Sequence, residues 1–413
     1  MMDDSLFEIK LESMAHGGSA LGHHGQQVVF VPYTIPGERV QARVVSQKGR
    51  ALFAQGVTLL EASADRVFPA CPHFGPGQCG ACHWQHISYE AQLLLKQDVL
   101  ADQLERIGGL EDAQVFPVIP CPEVWGYNHH MTLQTGKDGQ LGFAAANHAV
   151  YPVSICHVLH PDLLEIKAAL DIEQIAGLES LTLQRSTDGS CMAIMQMTND
   201  EAPELELDFP LSINLRLADG ETANLLGDYF STYQIGGRAF RVTAGCFIRP
   251  NLSQMDNLIG TVMHALALTG RENVLELYAG VGVFTAFIAP QASAVTLVED
   301  DSRAVDDADL NLADYGNIDI VEGLVEDVLP ELDSAASFDV ALLDPDEDGL
   351  SVAVVDSLAA LAIPRLVYVS SNPATLARDA KRLRAHGYHF SSAQPLDLAP
   401  QTYQIDTVAV LQR

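Results

Sequence analysis

The sequence predicts an α/β chain built on a doubly wound sheet, preceded by a small N-terminal β-barrel and a β-rich central region. Three observations carry that expectation. From Leu252 onward helical and strand patterns alternate, as a doubly wound sheet requires. Residues 6–60 alternate apolar and polar side chains between turn signals, the pattern of short antiparallel strands. Between these regions lie a cysteine-rich segment and an amphipathic helix. The expected domains are therefore residues 1–65, 66–240 and 241–413.

In the first of these, strand patterns around Phe7-Glu8-Ile9-Lys10-Leu11, Gln27-Val28-Val29-Phe30-Val31 and Glu38-Arg39-Val40-Gln41-Ala42 are separated by His16-Gly17-Gly18 and Ile35-Pro36-Gly37. Short strands at that spacing suit a small barrel of the oligonucleotide-binding kind, and suit a purely structural barrel equally well. Next come Cys71, Cys79 and Cys82, the last two spaced C-x-x-C among Pro and Gly turns. That grouping points to a metal or iron–sulfur site, with Cys156 as the fourth candidate ligand; spacing does not separate iron from zinc. In residues 89–107 Leu93, Leu94, Val99, Leu100, Leu104 and Ile107 recur near a 3.6 period, and Gly108-Gly109 stops the helix. Residues 115–240 read as antiparallel strands with one helix near 161–170, and 201–208 as an acidic, solvated loop.

The C-terminal region opens on the most informative stretch. An apolar strand at 274–277 runs into Tyr278-Ala279-Gly280-Val281-Gly282, then into a helix start at Phe284. A strand–glycine–helix unit presents backbone N–H groups to a ligand with no side chains in the way. The third glycine of the dinucleotide fingerprint is missing, so no pyrophosphate is implied. A second strand, 294–298, ends at Glu299, a carboxylate placed to accept from ribose hydroxyls. Together these suggest an adenosine ligand without a diphosphate, and S-adenosylmethionine fits best. Further strands are expected at 318–321, 340–343, 366–369 and 408–411.

Composition bounds the partners. The net charge of −31 opposes tight binding to a polyanion. Residues 1–60 are balanced, with Asp3, Asp4, Glu8, Glu12 and Glu38 set against Lys10, Arg39, Arg43, Lys48 and Arg50. No apolar run is long enough to span a bilayer, and Met1-Met2-Asp3-Asp4 lacks signal-peptide form. Seven unevenly spaced cysteines do not read as a disulfide scaffold. A cytoplasmic chain is expected.

The order of these features resembles the S-adenosylmethionine-dependent RNA uracil-5-methyltransferases, notably their iron–sulfur, ribosomal-RNA branch. The likeness spans nearly the whole chain. Gly17-Gly18-Ser19-Ala20-Leu21 through Val40 is similar to that family's TRAM domain, an RNA-binding barrel. Residues 66–89 resemble its cluster segment, which implies a four-iron cluster on Cys71, Cys79, Cys82 and Cys156. Residues 275–285 resemble its cofactor loop, which implies a methyltransferase sheet with Tyr278, Gly280, Gly282 and Glu299 around the cofactor. Leu343-Asp344-Pro345 matches its Asp-Pro pair, whose aspartate lies between cofactor and substrate. The family implies ribosomal or transfer RNA as partner, and a monomer.

Several positions depart from the family pattern. Phe247-Ile248-Arg249-Pro250-Asn251 carries Arg249 where the family has a cofactor-contacting glutamine. Asp346-Glu347-Asp348-Gly349 replaces an arginine with carboxylates, and Tyr127-Asn128-His129-His130 stands where the family has basic residues. Ser370-Ser371-Asn372-Pro373 puts Ser371 at the position of the nucleophilic cysteine, whose thiolate adds at uracil carbon 6 to activate carbon 5. Asp406 aligns with the glutamate that removes the carbon-5 proton and is one methylene shorter. Cys246 is the alternative thiol near the pocket, and inert packing is the expectation for it. The resemblance therefore implies an RNA methyltransferase with weak or altered uracil-5 chemistry, or a non-catalytic relative that binds RNA, the cofactor or both.

Overall fold

The computed structural model describes residues 5–137, 139–144, 150–170, 175–205, 207–332 and 337–413. Met1–Asp4 and Glu206 of the acidic loop lie outside the described residues. The N-terminal strands β1 (Phe7–Lys10), β2 (Ser13–Met14), β3 (Ala20–His24), β4 (Gln27–Val31), β5 (Arg39–Lys48) and β6 (Ala51–Glu61) form one sheet in the order β1-β5-β6-β4-β3-β2. Three register shifts along β5–β6 coil it strongly. Its two ends meet without a ladder, so the expected barrel does not close by strand pairing among the described residues. Instead Glu12 N–H donates to the Leu21 carbonyl at 2.7 Å. Gly22 lets the strands touch there, because a Cβ at this position would lie 2.2 Å from the Lys10 carbonyl.

The interior of this sheet is completed from outside it. Ile9, Leu11, Val29, Val31 and Val40 pack with Trp84, Ile87, Ala91 and Val99 from the following segment, and with Ile405 from the far end of the chain. Two polar contacts fix the arrangement: Arg66 forks onto the buried Glu38 carboxylate, and the Trp84 indole N–H donates to the Gly18 carbonyl at 3.1 Å.

Helix α1 (Tyr89–Arg106) matches the expected helix, with Gly109 in the left-handed conformation just past its end. Its buried face differs from the apolar stripe read in the sequence. Leu100 and Leu104 are fully buried, but Leu94 is 64% exposed, while Gln92, Lys96 and Gln103 are buried. The reason is a set of partners some 300 residues away. Lys96 Nζ donates to Asp397 Oδ1 at 2.6 Å and to the Ala399 carbonyl at 3.1 Å, and Gln92 exchanges hydrogen bonds with Gln401.

The middle of the chain contributes β7 (Gln114–Val115), β8 (His130–Thr135), β9 (Leu141–Ala144), β10 (Val150–Tyr151), α2 (Pro161–Ala169), β11 (Leu178–Arg185), β12 (Cys191–Met197), β13 (Ser212–Arg216) and β14 (Thr222–Leu226). Seven of these strands make a sheet in the order β10-β9-β8-β11-β12-β13-β14. The β-rich expectation and its one helix are met, except that β12 and β13 run parallel. Met131, Leu133, Leu181, Leu183, Met195 and Ile213 give this sheet a core of its own, against which Leu163 of α2 packs.

The C-terminal region holds the hairpin β15 (Phe230–Ile235) and β16 (Arg238–Thr243), then α3 (Met255–Leu266), β17 (Asn273–Leu277), α4 (Thr285–Ile288), β18 (Ala294–Glu299), α5 (Ser302–Asn311), β19 (Ile318–Glu322), α6 (Val325–Glu331), β20 (Val340–Leu343), α7 (Val352–Leu361), β21 (Arg365–Ser370), α8 (Pro373–Ala385), β22 (His389–Leu396) and β23 (Asp406–Gln412). All six expected strands join one sheet, ordered β19-β18-β17-β20-β21-β23-β22-β7. The first five are parallel and β23 runs antiparallel to both neighbours. Apolar cores cover both faces, as a buried parallel sheet demands. The hairpin buries Tyr233, Ile235, Phe240 and Val242 in the first of them, and Leu100 and Leu104 of α1 enter the second. Among the described residues no helix is long and apolar enough to cross a membrane.

Removing one member of a buried ion pair leaves the other uncompensated, at about 3–5 kcal/mol. Lys96→Met should therefore lower unfolding free energy by about that much in urea titrations. The Lys96→Met/Asp397→Asn double variant should recover at least half of the loss; equal destabilisation of single and double variants would contradict coupling between the two side chains.

Candidate active site

The carboxyl ends of β17, β18, β20 and β21 lie at one edge of the sheet, where ligands of open α/β sheets bind. The turn after β17 is unusually strained: Tyr278 has φ of 62°, Gly280 55° and Gly282 80°. Gly282 is required by packing as well, since a Cβ there would meet Leu312 Cδ1 at 2.8 Å. A Cβ on Gly280 would meet nothing within 4 Å, so open space adjoins the backbone at that point. The helix expected from Phe284 is a single turn, α4, continued by a 3-10 turn at Ala289–Gln291.

Carboxylates organise this turn. Glu299 Oε2 accepts from Gly280 N–H at 2.8 Å and Oε1 from Asp301 N–H at 3.0 Å. The residue read as a ribose acceptor thus braces the glycine turn; burial pushes its carboxyl upward. Glu276, on β17 and 1% exposed, accepts from Thr285 Oγ1 at 2.6 Å, while its Oε1 has no partner. Burial, reinforced by Asp344 and Glu299, raises it to about 8, so it is mostly protonated at neutral pH. Glu276 was not singled out from the sequence as a site residue; a lone glutamate inside a buried apolar strand was the available signal.

Across the edge, Arg249 forks onto Asp344, Nη1 to Oδ2 at 2.9 Å and Nη2 to Oδ1 at 2.7 Å. The guanidinium lies 5.8 Å from both the Phe247 and the Phe284 ring centroids, and Phe247 itself is 68% exposed. The next carboxylate is Asp406, at the start of β23 and 9% exposed. Burial raises it to about 6 against the pull of Arg249 and Lys96, with Asp344 and Asp397 pushing it further up. Among the described residues its carboxylate accepts no hydrogen bond.

Ser371 follows the last residue of β21. The antiparallel register pairs Ser370 with Thr407, so one step further out Ser371 stands opposite Asp406. Its side chain is exposed and makes no hydrogen bond among the described residues. The turn around it is fixed by its neighbours: Asn372 Oδ1 caps α8 through Ala374 N–H, and Asn372 Nδ2 donates to the Glu347 carbonyl. The acidic loop 346–349 is thereby tied beside Ser371. The structure thus places Arg249 and Asp344 in contact, with Asp406 and Ser371 at the same edge and Gly280, Gly282 and Glu299 in the turn alongside. Cys246 is instead buried in the sheet's core, where burial pushes its thiol to about 12, the state of an inert packing residue.

The cysteine segment is a separate feature. Gly75 and Gly77 adopt positive φ, and Cys79 N–H donates to the His73 carbonyl. Cys82 and Cys156 share an apolar cluster with Phe74, Tyr127 and Val158. Cys71, Cys79, Cys82 and Cys156 lie close enough for their charges to act on one another, each adding to the burial that raises Cys82 to about 12. Among the described residues no group of three or more such side chains is set to hold a metal ion. His129 and His130 are both lowered to about 4 by burial and are neutral at pH 7, so they supply no cationic charge there.

With the site in view, the fold and its edge define a doubly wound α/β protein with a ligand-accessible glycine turn at the carboxyl ends of its parallel strands. The sequence profile of the tRNA (uracil-5-)-methyltransferase family matches residues 211–413. An uncharacterized RNA methyltransferase of Streptomyces avermitilis is 33% identical over 98% of this chain and 98% of its own. Another, from Halalkalibacterium halodurans, is 31% identical over 99% of this chain and 97% of its own. The solved tRNA (uracil-54, C5)-methyltransferase of Pyrococcus abyssi, in complex with S-adenosyl-L-homocysteine, shares the fold: TM-score 0.75 at 22% identity, covering 98% of this chain and 100% of that one. The chain belongs to the S-adenosylmethionine-dependent RNA uracil-5-methyltransferase family.

The state of Glu276 is testable. Its folded-state value of about 8 exceeds the ordinary 4.5, so folding favours the protonated form. That stability is complete in acid and is lost as pH rises through 8. Glu276→Gln should melt at least ~2 °C above the native chain at pH 9, with the gap closing by pH 5; a gap that does not change with pH would refute the assignment.

Proposed function

We propose that the chain is an RNA methyltransferase whose donor half is kept and whose thiolate route to uracil carbon 5 is closed. In this reading the turn at Tyr278, Gly280 and Gly282 holds S-adenosylmethionine, with Glu299 bracing the turn on the ribose side and Arg249 and Asp344 between donor and acceptor. The observation that carries it is the pairing of a retained glycine turn with Ser371. That residue is an exposed hydroxyl without a hydrogen-bonded base, where the reaction needs a thiolate.

The N-terminal sheet serves as a TRAM-like RNA contact, and the RNA is ribosomal or transfer RNA, held weakly by a chain of net charge −31. The family resemblance, not the arrangement of these side chains as they stand, supports a four-iron cluster on Cys71, Cys79, Cys82 and Cys156, which would add a four-thiolate cross-link and one-electron chemistry. A working monomer in the cytoplasm completes the reading. A second reading is favoured by one observation: Arg249 occupies both oxygens of Asp344, the group expected at the acceptor. On that reading the chain binds RNA and cofactor without methyl transfer.

Calorimetry with S-adenosylmethionine should show binding, and Gly280→Val should abolish it; absence of heat with the native chain would remove the donor site. Native protein should form 5-methyluridine in RNA at least ~100-fold more slowly than the Ser371→Cys/Arg249→Gln variant, and only that variant should be trapped covalently by 5-fluorouridine RNA. Fast 5-methyluridine formation by the native chain would overturn the closed route. Anaerobically purified protein should show broad brown absorbance that Cys82→Ser removes; a colourless native protein would count against iron.

A further inference from the structure

The loss of the thiolate route directs attention to what the acceptor side still offers. Asp406 is a nine-tenths buried carboxylate with no hydrogen-bond partner among the described residues. Every charged group that acts on it is already engaged elsewhere. Arg249, from the loop before α3, gives both fork nitrogens to Asp344 at the end of β20, and Lys96 of α1 gives its ammonium to Asp397 after β22. Asp406 therefore accepts no hydrogen bond among the described residues, and the pull of Arg249 and Lys96 on it is opposed by their own partners, Asp344 and Asp397.

Its surroundings also decide what it is able to deprotonate. A carboxylate poised near neutrality is far too weak a base for the Ser371 hydroxyl, so it does not generate an alkoxide able to add to a pyrimidine ring. Nor does a thiol stand at this edge among the described residues. Cys246 is in the core, and Cys121 is buried, accepting from Asn251 Nδ2 at 3.2 Å and donating to the Glu123 carbonyl. A ring N–H next to a carbonyl is a much stronger acid than serine, and its conjugate nitrogen is nucleophilic without covalent activation.

Resting on the methyltransferase reading above, we propose that the acceptor is a lactam N–H of a nucleobase, methylated on nitrogen with Asp406 as the proton acceptor and no enzyme–base adduct. The N–H proton passes to the Asp406 carboxylate, and the guanidinium of Arg249 steadies the lactam anion. The nitrogen lone pair forms the new N–CH3 bond as the S–CH3 bond breaks, its electron pair returning to sulfur. The products are the N-methyl base, neutral S-adenosylhomocysteine and protonated Asp406, which releases its proton to solvent. No oxidant, reductant or further reactant is needed.

The test uses the full-length protein and total RNA from a strain lacking its gene, grown on uridine tritiated at carbon 5, with S-adenosylmethionine carrying a 14C methyl group. The expected result is 14C in an N-methyl lactam nucleoside, 3-methyluridine or 1-methylguanosine on digestion, with tritium fully retained. Asp406→Asn should lower the rate at least ~100-fold, while Asp406→Glu retains most of it. Thermal melting and calorimetry with S-adenosylmethionine should match the native chain in both variants. Recovery of 5-methyluridine with tritium release would overturn the nitrogen acceptor and leave the methyltransferase reading standing. An exocyclic amine or ribose oxygen as acceptor, or N-methylation indifferent to Asp406→Asn, would overturn it likewise. Cofactor binding with no 14C on any RNA would overturn both.

Discussion

Five carboxylates and two cations meet at the carboxyl edge of the eight-stranded sheet, and their mutual balance constrains everything around them. Arg249 forks onto Asp344 and Lys96 bonds Asp397, while Glu299, Glu276 and Asp406 have no cation bonded to them among the described residues. In a low-dielectric setting an unpaired charge costs several kcal/mol, so the surplus is absorbed by protonation or by backbone donors. Glu276 takes the first course and Glu299 the second, through Gly280 and Asp301. This arithmetic also explains why an arginine at position 249 is tolerated: a neutral amide there would leave Asp344 and Asp406 facing each other with Lys96 already engaged by Asp397.

The same balance ties distant parts of the chain together. Helix α1 lies outside the doubly wound unit in sequence, yet its Gln92 and Lys96 hold the segment that leads into Asp406. The N-terminal sheet is coupled in turn, since its core is filled by Trp84, Ala91 and Ile405. It is a sheet without a self-sufficient interior, and its orientation follows from the segment it packs on. A ligand that moves the turn before Asp406 acts directly beside Ile405, a member of that shared core.

Much of the fold was legible because apolar runs report burial directly. The six C-terminal strands, α1 and α2 all followed from residue pattern. What the pattern missed were polar residues with distant partners. Apolar periodicity assigned Leu94 to the buried face of α1, but Lys96 rotates that face inward because Asp397 awaits it 301 residues later. Glu276 was passed over as part of a strand, since only the three-dimensional crowding with Asp344 and Glu299 makes it exceptional. Glu299 was recognised as important for its position at a strand end, while its bond to Gly280 N–H depends on the strained turn that only coordinates reveal.

The two halves of the site differ in the kind of information that specifies them. The donor turn is made of backbone: positive φ at Tyr278, Gly280 and Gly282, and N–H groups held by carboxylates. Such a surface survives many side-chain changes, because only steric freedom at the glycines is required of the sequence. The acceptor side is made of functional groups, and a single atom, sulfur to oxygen at position 371, changes which reactions are open. On the proposed function, a turn built of backbone would be kept through side-chain changes that alter the acceptor chemistry. Asp406, 9% exposed and accepting no hydrogen bond among the described residues, is the group on the acceptor side whose retention the proposed proton-acceptor role accounts for.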